Sequence, residues 1–313
     1  MSRRVEADLR ELLGITTSPL FAEVSKWQNS MPQYEVGHLD RLGLLEPRES
    51  RQVQCLKLGR RFGICMAVAP LVIALEGDAG TYRCDALIIA TGASAAVAGG
   101  WTSICAMPNT DPVNDNPAVT RFIIDQGHAA QLANVFPIGA VTKSSHGKEL
   151  AEMGEMKNAG IVAVSDDGRS VPTSSMMRRA MEYARGFDLT IVYHCQDQSL
   201  SAGGVMHEGR WSLILGLRGM PAAAEDVDVV RDCVLAKLTK AKVHIAHVST
   251  RGALEAVRRA KHEGVNVTCE VTPHHWTLTD EAVAEYDTNT KMSPPLRSRE
   301  HVDAVLEAMK DGT

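Results

Sequence analysis

The chain has 313 residues, 44% of them hydrophobic and 23% charged, and 33 Lys and Arg against 38 Asp and Glu leave a net charge of −5. This composition excludes a disordered polymer, and the absence of a basic excess argues against a protein whose partner is nucleic acid. The longest apolar run, Cys65–Leu75, is interrupted by Pro70 and falls short of the roughly 20 residues that a membrane span requires. Arg3 and Arg4 are followed by Glu6, Asp8 and Glu11 instead of an apolar stretch, so no secretory leader is expected. The seven cysteines (Cys55, Cys65, Cys84, Cys105, Cys195, Cys233 and Cys269) include no C-x-x-C pair and several sit in apolar runs. They predict buried free thiols in a reducing cytoplasm, with no disulfide framework and no zinc ribbon.

The chain changes character near residue 90. Beyond Ser94, short apolar runs alternate with amphipathic stretches. The runs are Thr102–Met107, Val135–Val141, Ile161–Val164, Leu189–Tyr193, Lys242–Ala246 and Asn266–Val271. The stretches are Pro117–Leu132, Lys148–Asn158, Ser174–Arg185, Asp226–Lys240, Gly252–His262 and Glu300–Lys310. Such alternation predicts βα units on a parallel sheet, either open and doubly wound or most of a (βα)8 barrel. Function in such barrels sits at the C-terminal strand ends. Here those ends read Met107-Pro108-Asn109-Thr110, Ser165-Asp166-Asp167-Gly168, Tyr193-His194-Cys195, Ala246-His247-Val248-Ser249 and Thr272-Pro273-His274-His275. Three successive units thus deliver Asp, His and His, an oxygen and nitrogen set suited to zinc or a similar divalent ion. His244, three residues before His247, is expected on the opposite strand face, toward the helices. His207-Glu208 lacks the second histidine of H-E-x-x-H and predicts no zincin site.

Residues from about 90 to 313 resemble dihydroorotase, the class I cyclic amidohydrolases. The resemblance is carried by AAVAGGWTSICAMPNTDPVNDNP, VSDDGRSV, YHCQDQSLSAGGVMHEG, HIAHVSTRGALEAVRRAK, CEVTPHHWTLTDEAV and YDTNTKMSPPLRS. It implies a partial (βα)8 barrel of amidohydrolase type with about six of eight units, placed at 94–313. It also implies reversible hydrolysis of dihydroorotate to N-carbamoyl-aspartate in pyrimidine biosynthesis, at a centre of one or two zinc ions. By position, Asp167, His194 and His247 resemble family metal ligands, and Asn109 resembles a substrate-binding asparagine. Ser293 stands where the family's K-M-N-P-P carries another.

The departures bear on activity. The family's first-strand H-x-H pair and substrate-binding arginine have no counterpart before residue 90, where His38 is the only histidine. The family's Asp-His-Ala-Pro-His strand, which carries the general base, is not reached by Asp311-Gly312-Thr313. The resemblance therefore implies an impaired enzyme with at most one weakly held zinc and no catalytic residue assigned. The competing expectation is a non-catalytic scaffold, similar to the inactive dihydroorotase-like subunits that support aspartate transcarbamoylase. Homo-oligomerisation and a soluble cytoplasmic location are expected in either case.

The segment 1–93 has a different character and no assigned fold. Residues 5–42 resemble protoporphyrinogen oxidase, and residues 60–95 resemble thioredoxin reductase, through EGDAGTYRCDALIIATGAS. Neither piece carries its family's chemistry, because G-x-G-x-x-G and C-x-x-C are both absent. A flavin-dependent reductase is therefore a distant alternative, and the chain reads as a chimeric mosaic. Asp85–Gly92 is expected to be a plain buried strand and turn, and Leu71–Leu75 or Asp85–Ala90 are candidate substitutes for the barrel's missing strands.

Overall fold

A computed structural model describes Ile89 and residues 92–98 and 100–313. The flavoprotein-like pieces at 5–42 and 60–95, and the substitute strand over Leu71–Leu75, lie outside the described residues or almost wholly so. Of Asp85–Gly92 only Ile89 and Gly92 are described, and both are helical, not extended.

Six parallel strands form one sheet: β1 (Ser103–Ala106), β2 (Asn134–Ala140), β3 (Ala163–Ser165), β4 (Thr190–Tyr193), β7 (Lys242–Ile245) and β8 (Val267–Cys269). They lie in that spatial order, so only the β4-to-β7 step departs from sequence neighbours. The excursion between them holds α4 (Gln198–Ser201), β5 (Met206–His207), α5 (Arg210–Leu215) and β6 (Gly219–Met220), with β5 and β6 paired in a separate two-stranded sheet. Hydrophobic periodicity did not announce this excursion, because two-residue strands and one-turn helices are too short to carry a period.

The long helices are α1 (Pro117–Ala130), α2 (Met153–Ala159), α3 (Ser174–Gly186), α6 (Ala223–Thr239), α7 (Arg251–His262) and α9 (Arg299–Asp311), with the single turn α8 at Pro273–Thr277. Their starts follow capping chemistry. Asn116 accepts from the amides of Ala118 and Val119 ahead of Pro117, while Thr173 and Thr250 cap α3 and α7 in the same way. The helix expected over Lys148–Asn158 begins only at Met153, because Leu150 forms an antiparallel bridge with Thr142.

Alternation along the strands creates two cores. Val164, Ile191, Tyr193, Val243 and Ile245 pack outward against helix residues such as Met177, Met181, Val229, Ala253 and Val257. Met107, Ile138, Ala163, Val192 and Ala246 pack together on the other face, toward the axis around which the sheet curls. The described residues form a partial (βα)8 barrel of six strands. Among the described residues, β1 and β8 are edge strands.

His244 does not point where alternation from His247 placed it. Its neighbours Val243 and Ile245 belong to the helix-side core, and it sits in register between Val192 and Thr268. It therefore faces the axis, and its Nδ1 lies 2.8 Å from Thr268 Oγ1. The reason is local. The strand ends at Ile245, and His247 adopts φ 39°, a left-handed conformation that interrupts the two-residue period. A positive φ at a non-glycine residue is strained, and such strain gathers at sites that need a side chain re-aimed.

Candidate metal centre

Asp166 and Asp167 follow β3 and serve different ends. Asp166 turns back to the neighbouring strand, where Oδ1 accepts from the amides of Val141 (2.9 Å) and Thr142 (3.1 Å) and Oδ2 from the Thr142 hydroxyl. Burial pushes its carboxyl up to about 6 against these hydrogen bonds. Asp167 points into the site, where Oδ2 accepts from Asn109 Nδ2 at 3.2 Å and Oδ1 lies 3.9 Å from His194 Nδ1. Burial raises its carboxyl, while His194 and the Asn109 amide pull the other way.

His194 ends β4 and His247 follows β7. His194 Nδ1 and His247 Nε2 are 2.8 Å apart, with the rings edge to face. Burial holds the His247 imidazole well below the usual histidine range, with the neighbouring His194 as the next cause. It is therefore neutral, the form that binds metals. Its Nδ1 is buried and has no hydrogen-bond partner among the described residues. One ligand atom each from Asp167, His194 and His247 fall within 4.8 Å of one another. Two imidazole nitrogens and one carboxylate oxygen, converging and buried, fit a zinc-type cation. Catalytic zinc sites use three such ligands and keep a further position open.

Gln196 is the residue that the sequence did not single out. Its Oε1 lies 3.3 Å from His194 Nε2 and accepts from Ser293 Oγ at 3.0 Å, while its Nε2 donates to Ser201 Oγ at 2.9 Å. A proton on His194 Nε2 directed to this carbonyl leaves Nδ1 as the bare nitrogen facing His247. The Gln196 backbone N–H donates to Asp228 Oδ2 (3.1 Å) and Ser170 Oγ (3.2 Å). Asp228 is in turn paired at 3.1 Å with Arg231, which also bonds Tyr193 and the Val171 carbonyl. The signal available in the sequence was spacing: Gln196 is two residues beyond His194, on the same face if the chain stays extended.

The structure brings all five residues singled out for the site to one end of the sheet. Asn109 bonds Asp167, and Ser293 joins His194 through Gln196. His274 and His275 stand apart from the three-residue cluster. Thr272 Oγ1 lies 2.8 Å from His274 Nε2 and 2.6 Å from His275 Nδ1, and His275 Nε2 donates to the Pro294 carbonyl at 3.0 Å, steadying the segment behind Ser293. His207 also lies outside the cluster, against Arg297 and His301.

A six-stranded parallel sheet with an Asp-His-His cluster at its C-terminal strand ends defines the class by architecture: a partial (βα)8 barrel of the amidohydrolase type. The dihydro-orotase-like family model matches residues 70–253, and the chain belongs to that family. It is 57% identical over 225 residues to a dihydroorotase of Solibacter usitatus, covering 72% of this chain and 52% of that protein. To a dihydroorotase of Acetivibrio thermocellus it is 52% identical over 225 residues, covering 72% and 53%. The chain thus spans about half the length of these relatives. Among solved structures, an L-hydantoinase (dihydropyrimidinase) from Arthrobacter aurescens superposes with TM-score 0.57 at 21% identity, over 68% of this chain and 49% of that one. A D-hydantoinase superposes with TM-score 0.55 at 17% identity, over 81% and 55%. These likenesses establish the shared fold.

Proposed function

We propose that the chain is a dihydroorotase-type cyclic amidohydrolase of pyrimidine biosynthesis, cytoplasmic and zinc-dependent, acting weakly on dihydroorotate and N-carbamoyl-aspartate. The observation that carries this is the convergence of Asp167, His194 and His247 within 4.8 Å in a chain of this family. These three residues would hold one zinc ion. When bound, that ion would lower the pKa of a coordinated water toward neutrality and polarise the amide carbonyl of the ring.

The chain's own residues supply positioning. Asn109 holds Asp167 through one amide hydrogen and offers its remaining donor and its carbonyl to a cyclic diamide. Gln196 fixes the tautomer of His194 and orients the Ser293 hydroxyl. Serine is shorter than the asparagine expected there and has no amide, so it presents one donor where the family presents two. No H-x-H pair occurs in the 313 residues. The ligands that such a pair supplies to a metal centre have no counterpart in this sequence, and this is why weak turnover is proposed. Among the described residues no helix is long and apolar enough to cross a membrane.

The test is cyclisation of carbamoyl-aspartate at mildly acidic pH with added zinc, beside an Asp167→Ala control. Slow turnover abolished by the control supports the proposal. No turnover with zinc still bound favours a scaffold of the kind that supports aspartate transcarbamoylase. A yellow protein after purification would point to a flavin enzyme.

A further inference from the structure

Strand register places a further carboxylate beside the Asp-His-His cluster. Tyr193 pairs with Ile245, and Ile245 with Cys269. The ladder continues one residue on: the Ala246 amide donates to the Tyr193 carbonyl and the Glu270 amide to the Ile245 carbonyl, both at 3.1 Å. Tyr193, Ile245 and Cys269 face the helices. Alternation therefore turns the next residue of each strand, His194, Ala246 and Glu270, toward the axis. Ala246 packs in the axial core, and Glu270 Oε2 lies 3.9 Å from Nε2 of the axial His244. The charge is also felt across the axis, where burial first and Glu270 second raise the Cys105 thiol on β1. Neighbouring strands are about 4.8 Å apart, so two steps separate the α-carbons of His194 and Glu270 by about 10 Å. Two side chains, one metal ion and one water fill such a span.

The other carboxylates near the cluster are engaged. Asp166 is tied to Val141 and Thr142, and Asp228 to Gln196 and Arg231. The Glu270 side chain is 17% exposed, its carboxylate makes no hydrogen bond among the described residues, and His244 at 3.9 Å is beyond donating distance. We propose that Glu270 is the general base of the ring-opening reaction: it takes a proton from the water that attacks the ring carbonyl and passes it to the ring nitrogen. This rests on the cyclic amidohydrolase reading above. The water oxygen bonds to the carbonyl carbon, and the carbon–nitrogen bond breaks with its electron pair going to nitrogen. The proton carried by Glu270 completes that nitrogen. The second hydrogen of the water stays on the new carboxyl group, which ionises in solution. Ring closure runs the same steps backwards, and nothing is oxidised or reduced.

The test uses the full 313-residue chain loaded with one equivalent of zinc, or of cobalt where absorption is read. Glu270→Gln keeps the wild-type circular dichroism spectrum and the metal equivalent. It lowers kcat for dihydroorotate hydrolysis by about 10²–10⁴, with KM little changed. Added formate restores part of the rate to Glu270→Ala by filling the vacated space with a diffusible base. Azide serves as the probe that needs no turnover, because it takes an open coordination position as an anion. The cobalt-loaded Glu270→Gln binds azide about tenfold more tightly than the wild type, since a like charge beside that position has gone. An unchanged azide affinity, loss of the metal equivalent from Glu270→Gln, or an undiminished kcat would each overturn the proposal. A wild type without turnover whose azide affinity still rises tenfold on substitution sinks the dihydroorotate reading and upholds the placement of Glu270 at the open position.

Discussion

Replacing Glu225 by alanine should cost about 4 kcal/mol of stability. Glu225 leads α6 with its side chain only 3% exposed, and its carboxylate ties three segments together. Oε1 accepts from the amides of Ser249 (2.7 Å) and Thr250 (3.1 Å), and Oε2 from the Ser249 hydroxyl and from Arg297 Nη2 at 3.2 Å. Arg297, equally buried, donates further to Ser249 Oγ at 2.9 Å and to the Met220 carbonyl at 3.4 Å. Removing one partner of a buried pair leaves an uncompensated charge and costs about 3–5 kcal/mol. The two amides left without an acceptor add about 1 kcal/mol each, partly offset by water entering the vacated volume. Because Ser249 and Thr250 follow His247, the substitution also loosens the segment that re-aims that histidine. The assay is urea denaturation at pH 7 of Glu225→Ala, of Arg297→Met and of the double variant. The double variant should cost less than the sum of the two by about 1–3 kcal/mol, as residues in one network do. A single-variant loss below about 1 kcal/mol, or strict additivity, would refute the reasoning.

Gln196→Ala should weaken zinc binding by about 10–100-fold with little change in fold, as loss of a ligand-orienting partner does; competition against a chelating dye measures it, and an unchanged affinity removes Gln196 from the site. His207 is held down to about 3, by burial first and Arg297 second, so it stays neutral in the folded chain while the unfolded chain takes up a proton below about 6.5. Its contribution is complete above that pH and is lost as pH falls toward 3, amounting to about 2 kcal/mol at pH 5. The pH 7 minus pH 5 difference in unfolding free energy should therefore shrink by about that much in His207→Gln, and an unchanged difference would count against it. Gly139→Ala should cost about 1–3 kcal/mol through overpacking, since the added carbon would sit 2.9 Å from Ile161 Cδ1 and 3.0 Å from Met156 Cε; thermal denaturation checks it, and a neutral substitution would mean that both side chains yield freely.

The parts of the fold that the sequence disclosed are those where a period can accumulate. Each of the six apolar runs overlaps one of β1 to β4, β7 and β8, because strands buried on both faces read as continuous apolar segments. The excursion from Gln198 to Met220 has no such length and stayed invisible. At the site, residue type and strand-end position pointed to Asp, His and His, and it was the family resemblance that picked Asp167, His194 and His247, since nothing in Ser165-Asp166-Asp167 itself distinguishes the carboxylate that ties β3 to β2 from the one that faces the histidines. That division comes from which neighbouring amides each can reach. His244 was misplaced because a two-residue period was carried past the end of a strand into a left-handed turn. Asp228 lies 32 positions beyond Gln196, and only the folded sheet brings it, with Arg231 behind it, to the residue beside His194. The outward position of Val227, Val230 and Val234 on α6 was equally hidden, since these valines read as core just as Val229 does.

The most direct test of the account is the metal content of the chain. Protein stripped by chelation and titrated with zinc should bind one equivalent, read by elemental analysis after gel filtration. X-ray absorption should show nitrogen and oxygen neighbours at about 2.0–2.2 Å and no sulfur. Asp167→Ala, His194→Ala and His247→Ala should each abolish that equivalent while retaining the wild-type circular dichroism spectrum. A wild-type chain that binds no zinc, or one whose zinc survives all three substitutions, would contradict the assignment of these residues as a metal centre.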